Sequence, residues 1–352
     1  MSNKKYRVAA CALIAVFTLL AVPSAESQQE IRSKIDIHFR AQEPILTLHE
    51  PIVVFFEVHN RLSEPIDITV GSLSRQFFEF TLRTPSGQVL RRDPFEGTAD
   101  TVTVGTGKVT VEAGGEYSEP LVMNRWFPFT TEGTYLLNTE LTSNVETANG
   151  SFRAEPRSIE LQVGHRDTTK LTSICTMLAQ KAELASTADA AKFPVLALSH
   201  IDDPIAVPFL AQVLSSHVLA YQEAVLGLER IGNDDAVEVL LSMLNEKYGD
   251  VSVLATQSLA RLQERIVNPK LKQTVANAVE QTAARRHDDY LRTQISYLDY
   301  RDPAIQIAAM RSLKDKADLQ KAGPTLRRLI ADQTQPSEVV SAAKETLNRI
   351  RP

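Results

Sequence analysis

The spacing of apolar positions changes once along the chain. From about residue 32 to residue 163 they recur in twos. Ile35, Ile37 and Phe39 alternate with Lys34, Asp36 and His38, residues 52–59 form a denser apolar run, and Ile66, Ile68 and Val70 alternate again. Further runs of this kind cover 77–83, 101–104, 108–112, 117–123, 134–140 and 157–163. Successive side chains on a strand point to opposite faces, so a period of two marks a half-buried strand. Turn formers separate the runs: Asn60, Pro65, Pro85 with Gly87, Gly105, Gly114 with Gly115, Gly133, and Asn149 with Gly150. Nine or so short strands at this spacing predict an antiparallel β-sandwich over residues 28–164. Beyond Gly164 and His165 the period lengthens to three or four, with Ala and Leu dominant, and the pattern predicts helices through residue 352. Asp167 or Thr168 is placed to cap the first of them, because a side-chain oxygen accepts from the orphan N–H groups of a helix start.

The helical half repeats itself. Ala206 and Leu210 match Ala236 and Leu240 thirty residues on. Ala224, Leu228 and Ile231 match Ala255, Leu259 and Leu262 at an offset of 31, and Ala309 and Leu313 match Ala343 and Leu347 at 34. Asp203 before Pro204, Asn233 before Asp234, and Asp302 before Pro303 fall where helices should start. The segment after Pro324 supplies the other helix type. Each unit reads as a helical hairpin whose apolar face is buried by stacking on the next. The interval from Ala255 to Ala309 is 54 residues, which predicts a longer or irregular helix pair across 270–298.

Two resemblances follow from these residues. Leu48, His49, Glu50, Pro51 and Ile52 leading into a strand that ends at Asn60, with Trp126, Phe127, Pro128 and Phe129 followed by Gly133, Thr134 and Tyr135, resemble the immunoglobulin-like modules of bacterial exported proteins. The resemblance implies a tyrosine corner at Tyr135, its ring packed and its hydroxyl bonded back to the chain. The cysteines that pair in antibody-type domains are absent. Residues 187–352 resemble bacterial HEAT-like repeats, including the type found in phycobilin lyases. Where those repeats often carry Arg, this chain has Tyr221, Ser252, Gln306 and Val340, so no regular Asp–Arg ladder between repeats is expected.

The N-terminus adds a destination. Lys4, Lys5 and Arg7 precede an uncharged run over 8–22, and Pro23, Ser24, Ala25, Glu26 and Ser27 close it. That order predicts a secretory signal over 1–27, cleaved after Ser27 or, alternatively, after Ala25. An apolar run of about 15 residues falls short of the roughly 20 that span a bilayer, so no stable membrane insertion is expected after cleavage. Cys11 leaves with the signal, and Cys175 is then the single thiol of a chain with 2 cysteines in all. No internal disulfide can form, and packing must hold both halves. The formal net charge is −5, and losing the signal makes it more negative, which argues against nucleic acid as the partner.

Candidate chemistry thins out on inspection. Cys175 lies on an apolar helical face and reads as a packed thiol. Gly105, Gly107 and Lys108 resemble the end of a phosphate loop, but Val109 stands where a magnesium-binding hydroxyl belongs, so a hairpin turn is expected. Ser341 and Lys344 match a Ser-x-x-Lys pair without its usual partner motifs. His287, Asp288 and Asp289 are adjacent on a predicted helix and point apart rather than onto one ion. Asp202 with Asp203, and Asp234 with Asp235, read as caps and not as calcium loops. Arg285 and Arg286 read as a solvated pair, Asn149 to Ser151 as a glycosylation-type sequence, and the Trp126 cluster as core, its alternative being a sugar platform. No catalytic, metal or cofactor residues are assigned. The expectation is a non-enzymatic periplasmic or extracellular interaction protein that binds a protein partner through its repeats. The alternatives are a carbohydrate- or envelope-binding module or an accessory subunit of an exported enzyme.

Overall fold

Residues 25–70, 77–91, 107–216, 220–245 and 249–349 are described by the computed structural model. The export segment up to residue 24 and the predicted strand at 101–104 lie outside the described residues. The chain divides into two units between Arg166 and Asp167.

In the first unit a short helix, α1 (Ala25–Ser33), leads into twelve strands among the described residues: β1 (Ile35–Ala41), β2 (Ile45–Thr47), β3 (Val53–Asn60), β4 (Ile66–Thr69), β5 (Phe78–Arg83), β6 (Val89–Leu90), β7 (Lys108–Val111), β8 (Glu116–Val122), β9 (Gly133–Leu141), β10 (Asn144–Thr147), β11 (Gly150–Arg153) and β12 (Arg157–Gly164). They form three sheets, ordered β1-β3-β8, β11-β10-β4-β7 and β2-β12-β9-β5-β6. The alternation in sequence becomes alternation of burial. Ile35, Ile37 and Phe39 of β1 face inward, as do Phe78, Phe80 and Leu82 of β5. Side chains of all three sheets join one apolar cluster, in which Phe56 sits 4.9 Å from Phe78 and Phe80 packs edge-on against Trp126. Tyr135 is 1% exposed, and its hydroxyl donates to the Thr131 carbonyl at 2.8 Å and accepts from the Thr131 N–H at 3.2 Å.

The pairing is not wholly antiparallel: β2 runs parallel to β12, with Leu46 opposite Val163. The three-residue β2 is anchored by Thr47, whose hydroxyl donates to the His165 carbonyl at 2.5 Å, and by the Leu48 N–H on Gly164. Asn60 closes the far end of β3. It is 1% exposed, and its amide reaches the carbonyls of Glu64, Val111 and Glu112 at 2.9–3.0 Å.

The second unit is helical: α2 (Thr168–Glu183), α3 (Ala188–Ser199), α4 (Val207–Ser215), α5 (Tyr221–Ile231), α6 (Asp234–Ser242), α7 (Gly249–Leu262), α8 (Pro269–Tyr297), α9 (Pro303–Ser312), α10 (Lys316–Ala331) and α11 (Ser337–Asn348). Caps stand where the sequence puts them. Asp167 accepts from Lys170 N–H at 2.9 Å, Asn233 from Ala236 at 3.0 Å and Asp302 from Ala304 at 2.8 Å. Asp203 does the same for Ile205 at the 3-10 turn ahead of α4. Helix α5 ends at Gly232 in the left-handed region, φ +59°, where a side chain would be strained. Each helix from α2 to α8 packs on the next, as α10 does on α11, and most alternate helices also touch. On one row α2 touches α4, α4 touches α6, α6 touches α8 and α8 touches α10; on the other α3 touches α5, α5 touches α7 and α9 touches α11. The matched positions Ala206, Leu210, Ala224, Leu228, Ala236, Leu240, Ala255 and Leu259 are all completely buried. Residues 269–297 form one continuous helix of 29 residues instead of a helix pair. Good helix formers fill that stretch, and no Gly or Pro follows Pro269 to break it.

Candidate functional site

The residues singled out in sequence do not converge. Cys175 is fully buried, and burial pushes its thiol up to about 12, so it stays protonated and unreactive at neutral pH. Trp126, Phe127 and Phe129 are 2%, 1% and 6% exposed, which leaves no indole face for a sugar ring. His287, Asp288 and Asp289 each take a different partner: Asp318 at 2.8 Å, Lys321 at 2.9 Å and Arg292 at 3.2 Å. Lys108 opens β7 and pairs with Asp67 and Glu146 at 2.8 and 2.9 Å; Gly105 lies outside the described residues. Ser341 and Lys344 are exposed on α11. Arg286 reaches Thr256 Oγ1 at 3.2 Å, so it joins α8 to α7, while Arg285 stays exposed. Asn149 caps the β10–β11 hairpin and donates to Glu64.

Polar contacts between helices follow the repeat length. Gln212 and Ser216 donate to Glu183, Arg230 to the Ser199 carbonyl, Arg261 to Glu229, Asn268 to Asp234, Lys321 to Asp288 and Arg328 to Asp299, over separations of 29–34 residues. The partners vary in kind, which accords with the missing Arg positions. Glu229 carries the most bonds in this series. Burial alone would raise its carboxyl, but the bonds from Arg261 and Ser258, with the charges of Arg261 and Arg230, outweigh burial and hold it below the usual glutamate range.

Helix α8 carries the most conspicuous surface. Tyr290 and Tyr297 are seven residues apart, so they share one face, and both are exposed (47% and 39%). Tyr300 follows at 54%, edge-on to Tyr297 with ring centroids 5.9 Å apart. The signal for these tyrosines in the sequence is their seven-residue spacing within the interrupted repeat, which no motif announces. Two groups without a sequence motif could hold a metal ion: His38 with Glu57 and His59 across β1 and β3, and His287 of α8 with Asp315, just ahead of α10, and Asp318 within it. No helix among the described residues is long and apolar enough to cross a membrane.

Neither a family model nor a curated protein matches this chain. Solved structures are matched weakly. A β-glucosidase from Listeria innocua is 14% identical over 38% of this chain and 16% of its own, with a TM-score of 0.20. An engineered protein is 20% identical over 53% of this chain and 51% of its own, TM-score 0.23. The sporulation control protein Spo0M from Bacillus subtilis is 11% identical over 42% and 54%, TM-score 0.21. The chain thus spans between about a sixth and about half of the length of these structures, and at such scores the likeness carries no argument.

Proposed function

We propose that the chain is an exported, non-enzymatic interaction protein. An immunoglobulin-like β-sandwich precedes a HEAT-like α-solenoid, and the solenoid surface binds a protein partner. Three sheets around one apolar cluster and the Tyr135 bond back to Thr131 support the sandwich. Helix rows and polar contacts one repeat apart support the solenoid. The observation that carries the binding role is the exposed tyrosine face of α8, the 29-residue helix that departs from the repeat. Tyrosines are enriched among residues that dominate protein interfaces, because a rigid ring with a polar tip gives much contact area for little lost entropy. An exported enzyme is one kind of partner such a surface suits. The sugar-platform alternative loses its support with Trp126 buried.

The mature chain, used as bait on the exported fraction of its native cell, should retrieve one partner reproducibly. A Tyr290→Ala, Tyr297→Ala, Tyr300→Ala bait of unchanged helicity should lose it. Retention by the triple variant, or no partner with either bait, overturns the binding role. Export is read separately: the mature N-terminus should be Gln28 or, with the alternative cut, Glu26, and an intact Met1 in the cytosol would contradict it.

A further inference from the structure

We propose that His38, Glu57 and His59 form a binding site for one divalent transition-metal ion of the zinc type on the solvent-facing side of the β1–β3 pair. The register builds it. Asp36 lies opposite His59 and His38 opposite Glu57, so four side chains that alternate with core residues fall on one face of two hydrogen-bonded strands. The backs of the same strands are locked into the apolar cluster through Ile37, Phe39, Phe56 and Val58. One ligand atom each from His38, Glu57 and His59 lies within 4.8 Å of the others. Ligands held about 2.1 Å from a tetrahedral ion are about 3.4 Å apart, a closure within reach of side chains that are 33%, 16% and 31% exposed.

The surrounding charges already suit an ion. His59 Nδ1 is 3.0 Å from Glu116 of β8, which directs its other nitrogen to the ligand position. His38 Nε2 is 2.9 Å from Glu57 Oε2, while its Nδ1 is buried, makes no hydrogen bond and faces Asp36 at 3.5 Å. In a neutral ring whose proton sits on Nε2, that places a lone pair against a carboxylate. An ion on Nε2 moves the proton to Nδ1, where it donates to Asp36. Each imidazole would then bind the metal on one side and a carboxylate on the other, the arrangement that fixes ring orientation and raises ligand basicity. Arg40 grips the Glu57 carboxylate with both arms, Nη2 on Oε1 at 2.9 Å and Nε on Oε2 at 3.3 Å, so the ion would displace the longer bond and leave the shorter one to orient the carboxylate. The two imidazoles stack at 5.4 Å with 11° between their planes, and because a metal bonds imidazole nitrogen in the ring plane, binding requires one ring to turn about its side-chain torsions. Two nitrogens and one carboxylate select a borderline transition ion over calcium or magnesium, and leave a fourth position for water or a partner's ligand.

The test is titration of the full mature chain with zinc chloride against a chromophoric chelator, and with cobalt(II) for its visible absorption. The proposal expects one ion per chain and a cobalt band of tetrahedral intensity. His38→Gln and His59→Gln should each weaken binding by at least about 10- to 100-fold, the loss typical even of outer-shell changes, with the Trp126 fluorescence of the folded chain unchanged. His287→Gln, in the other histidine cluster, should leave the affinity as it was. Failure to bind zinc overturns the site. So does binding that survives both His38→Gln and His59→Gln, or that is lost in His287→Gln alone.

Discussion

The two units are held together on different length scales. In the first, paired residues lie far apart in sequence: Phe78 opposite Leu141, Val53 opposite Val122, Leu46 opposite Val163. Their side chains meet in one cluster shared by three sheets, so a defect in one strand is felt by all. In the second, contacts run to the next helix or the next but one, and polar bonds span one repeat. Stability there is close to a sum of neighbour terms, and damage should stay local. A chain without a disulfide among its described residues can thus be secured by packing in two ways. One concentrates the risk and the other distributes it.

The largest test of this difference is a core truncation on each side. Phe56→Ala removes a ring with no exposed surface at the centre of the cluster and should cost about 3–5 kcal/mol. The single tryptophan, Trp126, lies in that cluster, so its fluorescence reports this unit alone. Its denaturation midpoint should fall while the helical circular dichroism transition stays in place. If both transitions move together, the units are not separate in stability.

Leu259→Ala in α7 should cost a somewhat smaller amount, about 2–5 kcal/mol. Hydrogen exchange should quicken in α5, α6 and α7, which pack around it, and change little in α10 and α11. Equal loss along the whole helical unit would break the nearest-neighbour description.

A smaller effect sharpens it. The carboxyl of Glu229 is held below its ordinary value, so it contributes stability that is present above the glutamate range of the unfolded chain, near pH 4.3. That contribution is lost as pH falls through the lower folded value. The helical transition should weaken with acid over that window. In Glu229→Gln the window should flatten, with some stability already gone at neutral pH. A variant with the same acid profile as the native chain would remove Glu229 from the account.

How much of this was legible depends on the range of the physics involved. Alternation marked the inward faces of β1 and β4, because side-chain direction is a local property of a strand, whereas β3 read only as a dense apolar run. Strands β2 and β6 have three and two residues, and β10 and β11 carry one apolar side chain each, Val145 and Phe152, so no period registers in any of them. The parallel pairing of β2 depends on Thr47 meeting His165 across the unit, and nothing near residue 47 announces it. Caps at Asp167, Asn233 and Asp302 were readable because the bond closes within three residues. The 54-residue interval did mark the anomaly at α8, but not that one helix would fill it. The candidate sites were the least legible part. His38 meets Glu57 only through strand register, and His287 meets Asp318 only through helix stacking, so neither spacing resembles a motif.

Partner binding at the α8 surface is the central proposal. A photo-crosslinking amino acid placed at position 297 in the exported chain, irradiated in its native compartment, addresses it directly. One discrete adduct, absent when the same probe replaces exposed Ser341 on α11, is the predicted result. No adduct at 297, or the same set of adducts from both positions, would contradict it.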